Sequence, residues 1–364
     1  MGNMINYLLS YQNQSLKDLP FNEVDASIFS ELAYFPFDVL DSNKKIIDSK
    51  TLLDLIKDFK PLNNAKRRSL DLNLLQLVLR SERFKNIKVA YYEKDKSIEK
   101  EKQFLAVTFL HKDFIYVSFG GTDASLTGWK EDLNLSYQKE IFSDISASLY
   151  LKKVLRRFPL SNNIYIGGHS KGGRLAVFAL KSLDNVKRIK KVFSFDGPGF
   201  DKSFYDDKYQ NISHLICKIC PEESIIGRLL HEDENVLIVK SNERLLMQHD
   251  NYSWEVSGSH FVFLGDYSKG STHVVNVINS TVENMSFEDK RYIVDAIYDL
   301  LLDLDIKELK DANYNKLLVM NALKNFRGVW KNLDEDKRKS LTGFLLKIIT
   351  TIIKEYSPLP KKNG

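Results

Sequence analysis

A serine flanked by glycines on both sides is the residue in this sequence best suited to act as a nucleophile. Ser170 lies in the run GGHSKGG at residues 167–173, which contains four of the 17 glycines in a chain of 364 residues. An apolar run at residues 163–166 precedes it, and a helical pattern follows. In this context G-x-S-x-G places a serine on a sharp strand-to-helix turn, because the residues two before and two after it must approach without side chains. Neither of the glycine patterns of phosphate-binding loops is present. The run therefore predicts a nucleophile elbow at Ser170.

A second pair of glycines offers donors for an oxyanion. The run FGGT at residues 119–122 follows an apolar stretch typical of a strand. An oxyanion hole of this type takes one N–H from the residue after the nucleophile, here Lys171, and one from the loop after an earlier strand. Glycines in that loop let the backbone approach closely. We predict Gly121 and Thr122 as the loop contribution, with the Thr122 hydroxyl as a further donor.

The general base has to be one of seven histidines. His249 is favoured, because it follows the predicted last strand of the parallel sheet and keeps the chain order serine, acid, histidine. His260 and His273 remain alternatives.

The acid has two candidates. Glu223 follows the predicted strand at residues 214–220, and Asp196 follows the preceding one at residues 191–195. We rank Glu223 slightly ahead, because Asp196 has the alternative role of capping the Gly-Pro-Gly turn that follows it.

Strands and helices alternate through the middle of the chain. This alternation predicts a parallel sheet with right-handed crossovers, and a meander before it adds antiparallel strands. We therefore predict an α/β-hydrolase fold with a mixed, mostly parallel central sheet and helical extensions at both ends. The expected division is one domain, with an N-terminal helical region at residues 1–85, a catalytic core at 86–275 and a C-terminal helical region at 276–364.

The composition excludes several classes of protein. The net charge of +5 is mild and is spread through the chain, which argues against nucleic acid as a partner. Cys217 and Cys220 form a C-x-x-C in a β-like run, which predicts two unpaired thiols and no redox or zinc site. We expect no metal and no cofactor.

The N-terminus lacks a basic start followed by an apolar stretch, and we expect a cytoplasmic protein. Peripheral membrane contact through the apolar run at residues 341–353 is left open.

These motifs resemble two known families. FGGT followed by Trp129 and Asp132 is similar to the F-[RG]-G-T…W…D-L pattern of class 3 (fungal triacylglycerol) lipases, with Gly120 where arginine is common there. The chain more closely resembles a bacterial lipase-like family of unknown function, through the runs NEVD (22–25), GGHSKGG (167–173), FDGPGF (195–200), SIIG (224–227) and QHD (248–250), together with Trp254. The resemblance implies an α/β-hydrolase fold and an esterase or lipase-type activity, without naming a substrate.

The same resemblance bears on the acid. In class 3 lipases the turn that matches residues 221–224 carries an aspartate before Ile-Val-Pro. A direct overlay places Ser224 at that position, and a shift of one residue selects Glu223.

The residues and the resemblance together favour a serine hydrolase that acts on a small-molecule or lipid carboxylic ester through an acyl-enzyme. A thioesterase or amidase with the same triad is one alternative, since these enzymes share the acyl-transfer machinery. A non-catalytic binding protein that has kept the fold but lost a working triad is another.

Overall fold

A mixed β-sheet forms the centre of the molecule. The structure is a computed structural model and describes residues 2–39, 46–59, 66–123, 125–231, 235–303, 335 and 342–343. In chain order, the elements are α1 (Met4–Tyr11), α2 (Glu23–Leu32), β1 (Ile46–Asp48), α3 (Ser49–Ile56), α4 (Lys66–Arg80), β2 (Lys88–Ser97), β3 (Lys102–Leu110), β4 (Ile115–Phe119), α5 (Leu126–Asn134), α6 (Phe142–Arg157), β5 (Ile164–His169), α7 (Lys171–Lys181), β6 (Ile189–Phe195), α8 (Asp207–Ser213), β7 (Ile216–Pro221), β8 (Val236–Val239), β9 (Val256–Ser257), β10 (His260–Phe261), β11 (Phe263–Leu264), α9 (Lys269–Glu283) and α10 (Phe287–Asp303).

Within the described residues, nine strands form one sheet in the order β1-β2-β3-β4-β5-β6-β7-β8-β11. Strands β4 to β8 are parallel, whereas β1, β2, β3 and β11 pair antiparallel with their neighbours. Every residue of β4 is buried, as expected of a central strand covered by helices on both faces. The mixed, mostly parallel sheet predicted from the sequence is confirmed.

Helices from the N-terminal region pack against one face of this sheet. The run NEVD at residues 22–25 has the pattern of a helix start, and α2 begins there: the Asn22 side chain accepts from the backbone N–H groups of Val24 and Asp25. The apolar side chains of α1, α2 and α4 share one hydrophobic core with β3 and β4. Beneath α2, the Asp25 carboxylate accepts a hydrogen bond from the Arg83 Nε at 2.9 Å, and both side chains are fully buried.

The other face is covered by α6, α7 and α8, which form a second hydrophobic cluster with the sheet. Because α7 directly follows β5, this layer fixes the turn between them at the carboxyl edge of the sheet. Ligands of open parallel sheets bind at this edge.

The sequence-based assignment differs from the structure in three places. The N-terminal region, predicted to be helical, also contains β1, which is only three residues long and so shows no period of its own. The charged residues at 94–102 predict a turn within the meander, but β2 continues to Ser97, and its charged residues lie on an exposed stretch of the strand. The predicted boundary at residue 276 falls inside α9.

The predicted C-terminal helical region is described only in part. It is helical through α9 and α10, and the apolar run at residues 341–353 lies, apart from 342 and 343, outside the described residues. No helix within the described ranges is long and apolar enough to cross a membrane.

Candidate active site

Ser170 lies on a strained turn between β5 and α7. Its backbone angles, φ 57° and ψ −132°, fall in a region that residues other than glycine rarely adopt. The flanking glycines are needed for close approach. A Cβ on Gly168 would lie 2.4 Å from the Gly172 carbonyl carbon, and one on Gly172 would lie 2.1 Å from the Phe119 oxygen. The hydroxyl-bearing residue itself is half-exposed. This is the geometry that the glycine spacing predicts.

The turn is tied directly to the end of β6. The Ser170 N–H donates to the Phe195 carbonyl oxygen at 2.9 Å, and the next residue is Asp196. Asp196 also adopts a left-handed conformation, with φ 48°, and its side chain is buried. The nucleophile candidate and one of the two candidate acids therefore occupy adjacent strand ends.

Asp196 carries the imidazole of His249. The His249 Nδ1 lies 2.6 Å from the Asp196 Oδ2, and the Ser224 hydroxyl donates to the other carboxylate oxygen at 2.5 Å. Gly227 leaves room for this arrangement, because a Cβ there would lie 2.2 Å from the Asp196 Oδ1. Each oxygen of the carboxylate thus has a donor, and the aspartate is fixed in one orientation.

Glu223 has a different partner. Its carboxylate accepts from the Leu245 backbone N–H at 2.7 Å, and its own N–H donates to the Gln248 Oε1 at 2.9 Å. Glu223 therefore braces the short loop that leads to His249 and leaves the ring to Asp196. The slight preference for Glu223 over Asp196 does not agree with these contacts. Ser224, which the class 3 lipase overlay places at the acid position, instead contacts the Asp196 carboxylate at the end of the neighbouring strand.

The two alternative histidines lie elsewhere. His260 is exposed on β10 and its Nδ1 lies 2.9 Å from the Glu23 Oε1, at the start of α2. His273 is an exposed residue of α9. The structure brings neither of them to Asp196.

His169 is a neighbour of His249 that the sequence did not single out. Its Nε2 donates to the His249 carbonyl oxygen at 2.6 Å, and the two ring centroids are 4.6 Å apart. On its other side, the Tyr34 hydroxyl lies 3.1 Å from the Nδ1 and a Glu31 carboxylate oxygen lies at 3.5 Å. The variable position of the G-x-S-x-G motif therefore packs beneath the His249 ring. The sequence signal for this role was weak: an apolar strand that ends on a histidine, His169, next to the serine.

The loop after β4 lies beside the elbow. A Cβ on Gly121 would lie 3.1 Å from the Ser170 Cβ, 2.7 Å from the His169 carbonyl oxygen and 2.2 Å from the Tyr34 hydroxyl. Only a glycine fits in this space. The backbone of Gly121 also hydrogen-bonds the Tyr34 hydroxyl, which opposes the increase in the pKa of that hydroxyl caused by its burial.

Thr122 is oriented by Asp132, the aspartate of the resemblance pattern. The Thr122 hydroxyl donates its single proton to the Asp132 carboxylate. The hydroxyl predicted as a further oxyanion donor is therefore already engaged, and the backbone N–H is the donor that Thr122 can still offer. Burial raises the pKa of Asp132, while the nearby Lys171 ammonium and the Thr122 bond act in the opposite direction. Lys171 is the first residue of α7, where backbone N–H groups have no partner within the helix.

The described residues contain no group of three or more histidine, cysteine, aspartate or glutamate side chains that could hold a metal ion. Cys217 and Cys220 are both free thiols on β7, three residues apart on a strand.

A sheet of mixed direction with a serine on the turn from its central strand into a helix defines an α/β-hydrolase fold. The sequence profile of the Mbeg1-like family matches residues 78–299, more than half of the chain, and the chain belongs to this family. The lipase-like resemblance of the sequence is confirmed.

Solved structures of fungal lipases are similar to the chain at low identity. The lipase from Rhizopus microsporus var. chinensis is 16% identical, and the alignment covers 65% of this chain and 77% of the lipase, with a TM-score of 0.34. Lipase II from Rhizopus niveus is 15% identical, and the alignment covers 65% of this chain and 83% of the lipase, with a TM-score of 0.34. The Rhizomucor miehei lipase propeptide complex is 13% identical, and the alignment covers 66% of this chain and 68% of the lipase chain, with a TM-score of 0.37. No match was found among curated proteins.

Proposed function

We propose that the protein is a serine hydrolase of carboxylic esters, of the esterase or lipase type, that works through an acyl-enzyme on Ser170. The observation that carries this proposal is the contact between the His249 Nδ1 and Asp196 Oδ2, at 2.6 Å, next to a serine held on a strained turn. A carboxylate on Nδ1 fixes the tautomer in which Nε2 is free to accept a proton. That is the requirement for activating a serine hydroxyl.

The reaction then follows from the roles of these atoms. The Ser170 Oγ attacks the ester carbonyl carbon while its proton moves to the His249 Nε2, and the Asp196 carboxylate stabilises the imidazolium. The imidazolium returns the proton to the leaving alkoxide as the C–O bond breaks. Water repeats the sequence on the acyl-enzyme, losing a proton to Nε2, and the serine is released with the carboxylic acid.

The oxyanion is stabilised by backbone donors from two loops. We assign the Lys171 N–H, at the positive end of the α7 dipole, and the Thr122 N–H, with Gly121 providing the close approach. Removing one such donor costs about 10²–10³ in kcat in comparable sites. The substrate is a small-molecule or lipid ester. A reducing compartment such as the cytoplasm fits the two free thiols, Cys217 and Cys220.

Labelling with a fluorophosphonate probe tests the proposal. The probe phosphonylates an activated serine, and peptide mass spectrometry locates the adduct. We expect one adduct, on the peptide that contains Ser170, and none in Ser170→Ala. Ser146→Ala is the matched control, because Ser146 is a serine of α6 that only bonds its own helix, and it should label like the wild type.

An unlabelled wild type, or a Ser170→Ala variant that labels equally well, would contradict the proposal and favour a non-catalytic scaffold. A panel of p-nitrophenyl esters of rising chain length, run beside matched thioesters and anilides, separates the enzyme classes. We expect the highest kcat/KM for the carboxylic esters, and a higher value for thioesters or anilides would reassign the bond.

A further inference from the structure

A buried ammonium group lies directly behind the elbow. The Lys171 and Glu131 side chains are each 1% exposed, and the Lys171 Nζ lies 2.8 Å from the Glu131 Oε2. It also donates to the Gln103 carbonyl oxygen and to the Gln103 Oε1, both at 2.9 Å. All three N–H bonds of the ammonium are therefore used. A cation at the first residue of a helix is unfavourable for the helix dipole, and burying it adds a desolvation penalty. Neither cost is explained by the need for a turn at this place.

The glutamate is equally well bonded. Besides Lys171, its Oε2 accepts from the Gln103 N–H at 3.0 Å and the Ser143 hydroxyl at 2.9 Å, and its Oε1 accepts from the Ser143 N–H at 3.1 Å. The network thus joins α7, β3, α5 and α6 at one point. Its contacts leave Lys171 a single position.

Gln103 transmits this position to the oxyanion loop. An ammonium group only donates, so it fixes the Gln103 Oε1 towards itself and turns the amide nitrogen away. That nitrogen lies 3.5 Å from the Gly121 carbonyl oxygen, and the Asp123 N–H reaches the Oε1 at 3.4 Å. The side-chain amide is therefore placed against both ends of the Gly121–Asp123 segment.

The direction of one peptide follows from these contacts. In a planar trans peptide the N–H points opposite to the C=O. Because the Gly121 carbonyl is turned towards Gln103, the Thr122 N–H points away from Gln103. The Thr122 hydroxyl is bound to Asp132, whose Oδ1 lies 3.8 Å from the same Lys171 Nζ. Both peptide orientation and side-chain orientation in the loop thus depend on one ammonium group.

We propose that the Lys171 side chain is a positioning residue that preorganises the oxyanion hole, through Glu131 and the Gln103 amide, while its backbone N–H supplies the other donor. This inference rests on the proposed function. It assigns to one residue the coupling of two loops that are more than forty positions apart in the chain. Oxyanion donors act on the transition state far more than on the bound ester. The predicted loss is therefore in kcat and in the affinity of tetrahedral mimics, with KM little changed.

The experiment compares Lys171→Met with Arg83→Met. Arg83 forms a separate buried ion pair with Asp25, in which both side chains are 0% exposed, and it serves as the control for losing a buried charge. Kinetics on a p-nitrophenyl ester are expressed per folded molecule, with the folded fraction from circular dichroism. For Lys171→Met we expect kcat to fall by about 100-fold or more, with KM within about threefold. A trifluoromethyl ketone should bind more weakly by a similar factor. Arg83→Met should lower Tm and leave kcat within about threefold.

Gln103→Met is the second variant, because it leaves the ion pair intact and removes only the amide. We expect a decrease in kcat of roughly tenfold, again with KM unchanged. If Lys171→Met does not fold, the kinetics of Gln103→Met alone test the inference. The inference is overturned if the folded variants keep kcat and ketone affinity within about threefold of the wild type. A wild type that fluorophosphonate does not label at Ser170 overturns the proposed function instead, so the two failures are distinguishable.

Discussion

The ends of β6 and β7 each carry a buried or nearly buried carboxylate, and the two behave differently. Asp196 is 1% exposed and receives the His249 ring and the Ser224 hydroxyl. Glu223 is 12% exposed and receives a backbone N–H of the loop before His249. One carboxylate orients an imidazole, and the other holds the backbone on which that imidazole is mounted. Two acidic residues at the same edge of a sheet thus support one histidine at two levels.

The backbone explains this division. Asp196 has a φ of 48°, which turns its side chain out of the strand direction and over the sheet edge next to the elbow. Glu223 accepts from Leu245, which has a φ of 52° and begins the turn that ends at His249. A carboxylate that stabilises such a turn contributes through structure, and its removal affects the ring only indirectly. Chain order alone cannot separate these roles.

The largest expected effect tests that difference. In Asp196→Asn the shape is kept, but the amide no longer fixes the tautomer with a free Nε2 or stabilises the imidazolium. We expect kcat/KM for a p-nitrophenyl ester to fall by about 10³–10⁴. Glu223→Gln is the matched control and should stay within about tenfold. The comparison is broken if Glu223→Gln is the more damaging of the two.

Removing the second donor to Asp196 should have an intermediate effect. Ser224→Ala deletes a hydrogen bond to a buried carboxylate, and such bonds contribute about 1.5–3 kcal/mol. We expect kcat to fall by roughly tenfold with KM unchanged, because the aspartate gains rotational freedom. Steady-state kinetics measure it. An unchanged kcat would show that the His249 contact alone fixes Asp196.

A smaller effect is expected from His169, the residue beneath the His249 ring. His169→Phe keeps a ring against His249 but removes the donor to the His249 carbonyl oxygen. We expect a decrease in kcat of roughly fivefold, since Glu223 and Asp196 still position the loop and the ring. His169→Gln, which can restore the donor, should recover part of the loss. If His169→Phe and the wild type have equal kcat, the bond from His169 to the His249 carbonyl oxygen does not contribute to positioning His249.

The smallest effect concerns β7 itself, which we regard as structural. Burial raises the pKa of the Cys217 thiol to about 11. Because only the thiolate reacts, the alkylation rate with iodoacetamide should increase by about tenfold for each pH unit between 8 and 10. Carboxamidomethylation at Cys217, followed by mass spectrometry at pH 8, should be slow and should leave ester hydrolysis unchanged. Rapid alkylation at pH 8 would point to an activated thiol.

The parts of the site that the sequence predicted are those with local causes. The glycines around Ser170 and at Gly121 report steric crowding between residues a few positions apart, so their spacing is informative by itself. The alternation of strands and helices likewise predicted the mixed sheet. A strand of three residues such as β1 is too short to show a period, and β1 was missed.

Other parts depend on contacts between distant residues. Ranking Asp196 against Glu223 required knowing that Asp196 itself adopts a positive φ, which the Gly-Pro-Gly run after it does not reveal. The role of His169 follows from its contact with His249, eighty positions later. The Lys171 side chain was interpreted only as the bearer of an N–H, because its partners lie on β3 and α5. Sequence spacing gives no information on such contacts without a structure.

Pre-steady-state hydrolysis of a p-nitrophenyl ester tests the central claim most directly. Acid quenching within the first turnover, followed by peptide mass spectrometry, shows where the acyl group is held. We predict a burst of about one equivalent of p-nitrophenol per enzyme and an acyl group on the peptide containing Ser170, with deacylation slowed in Asp196→Asn. Hydrolysis by the wild type without an acyl group on Ser170, together with full activity of Ser170→Ala, would contradict the account.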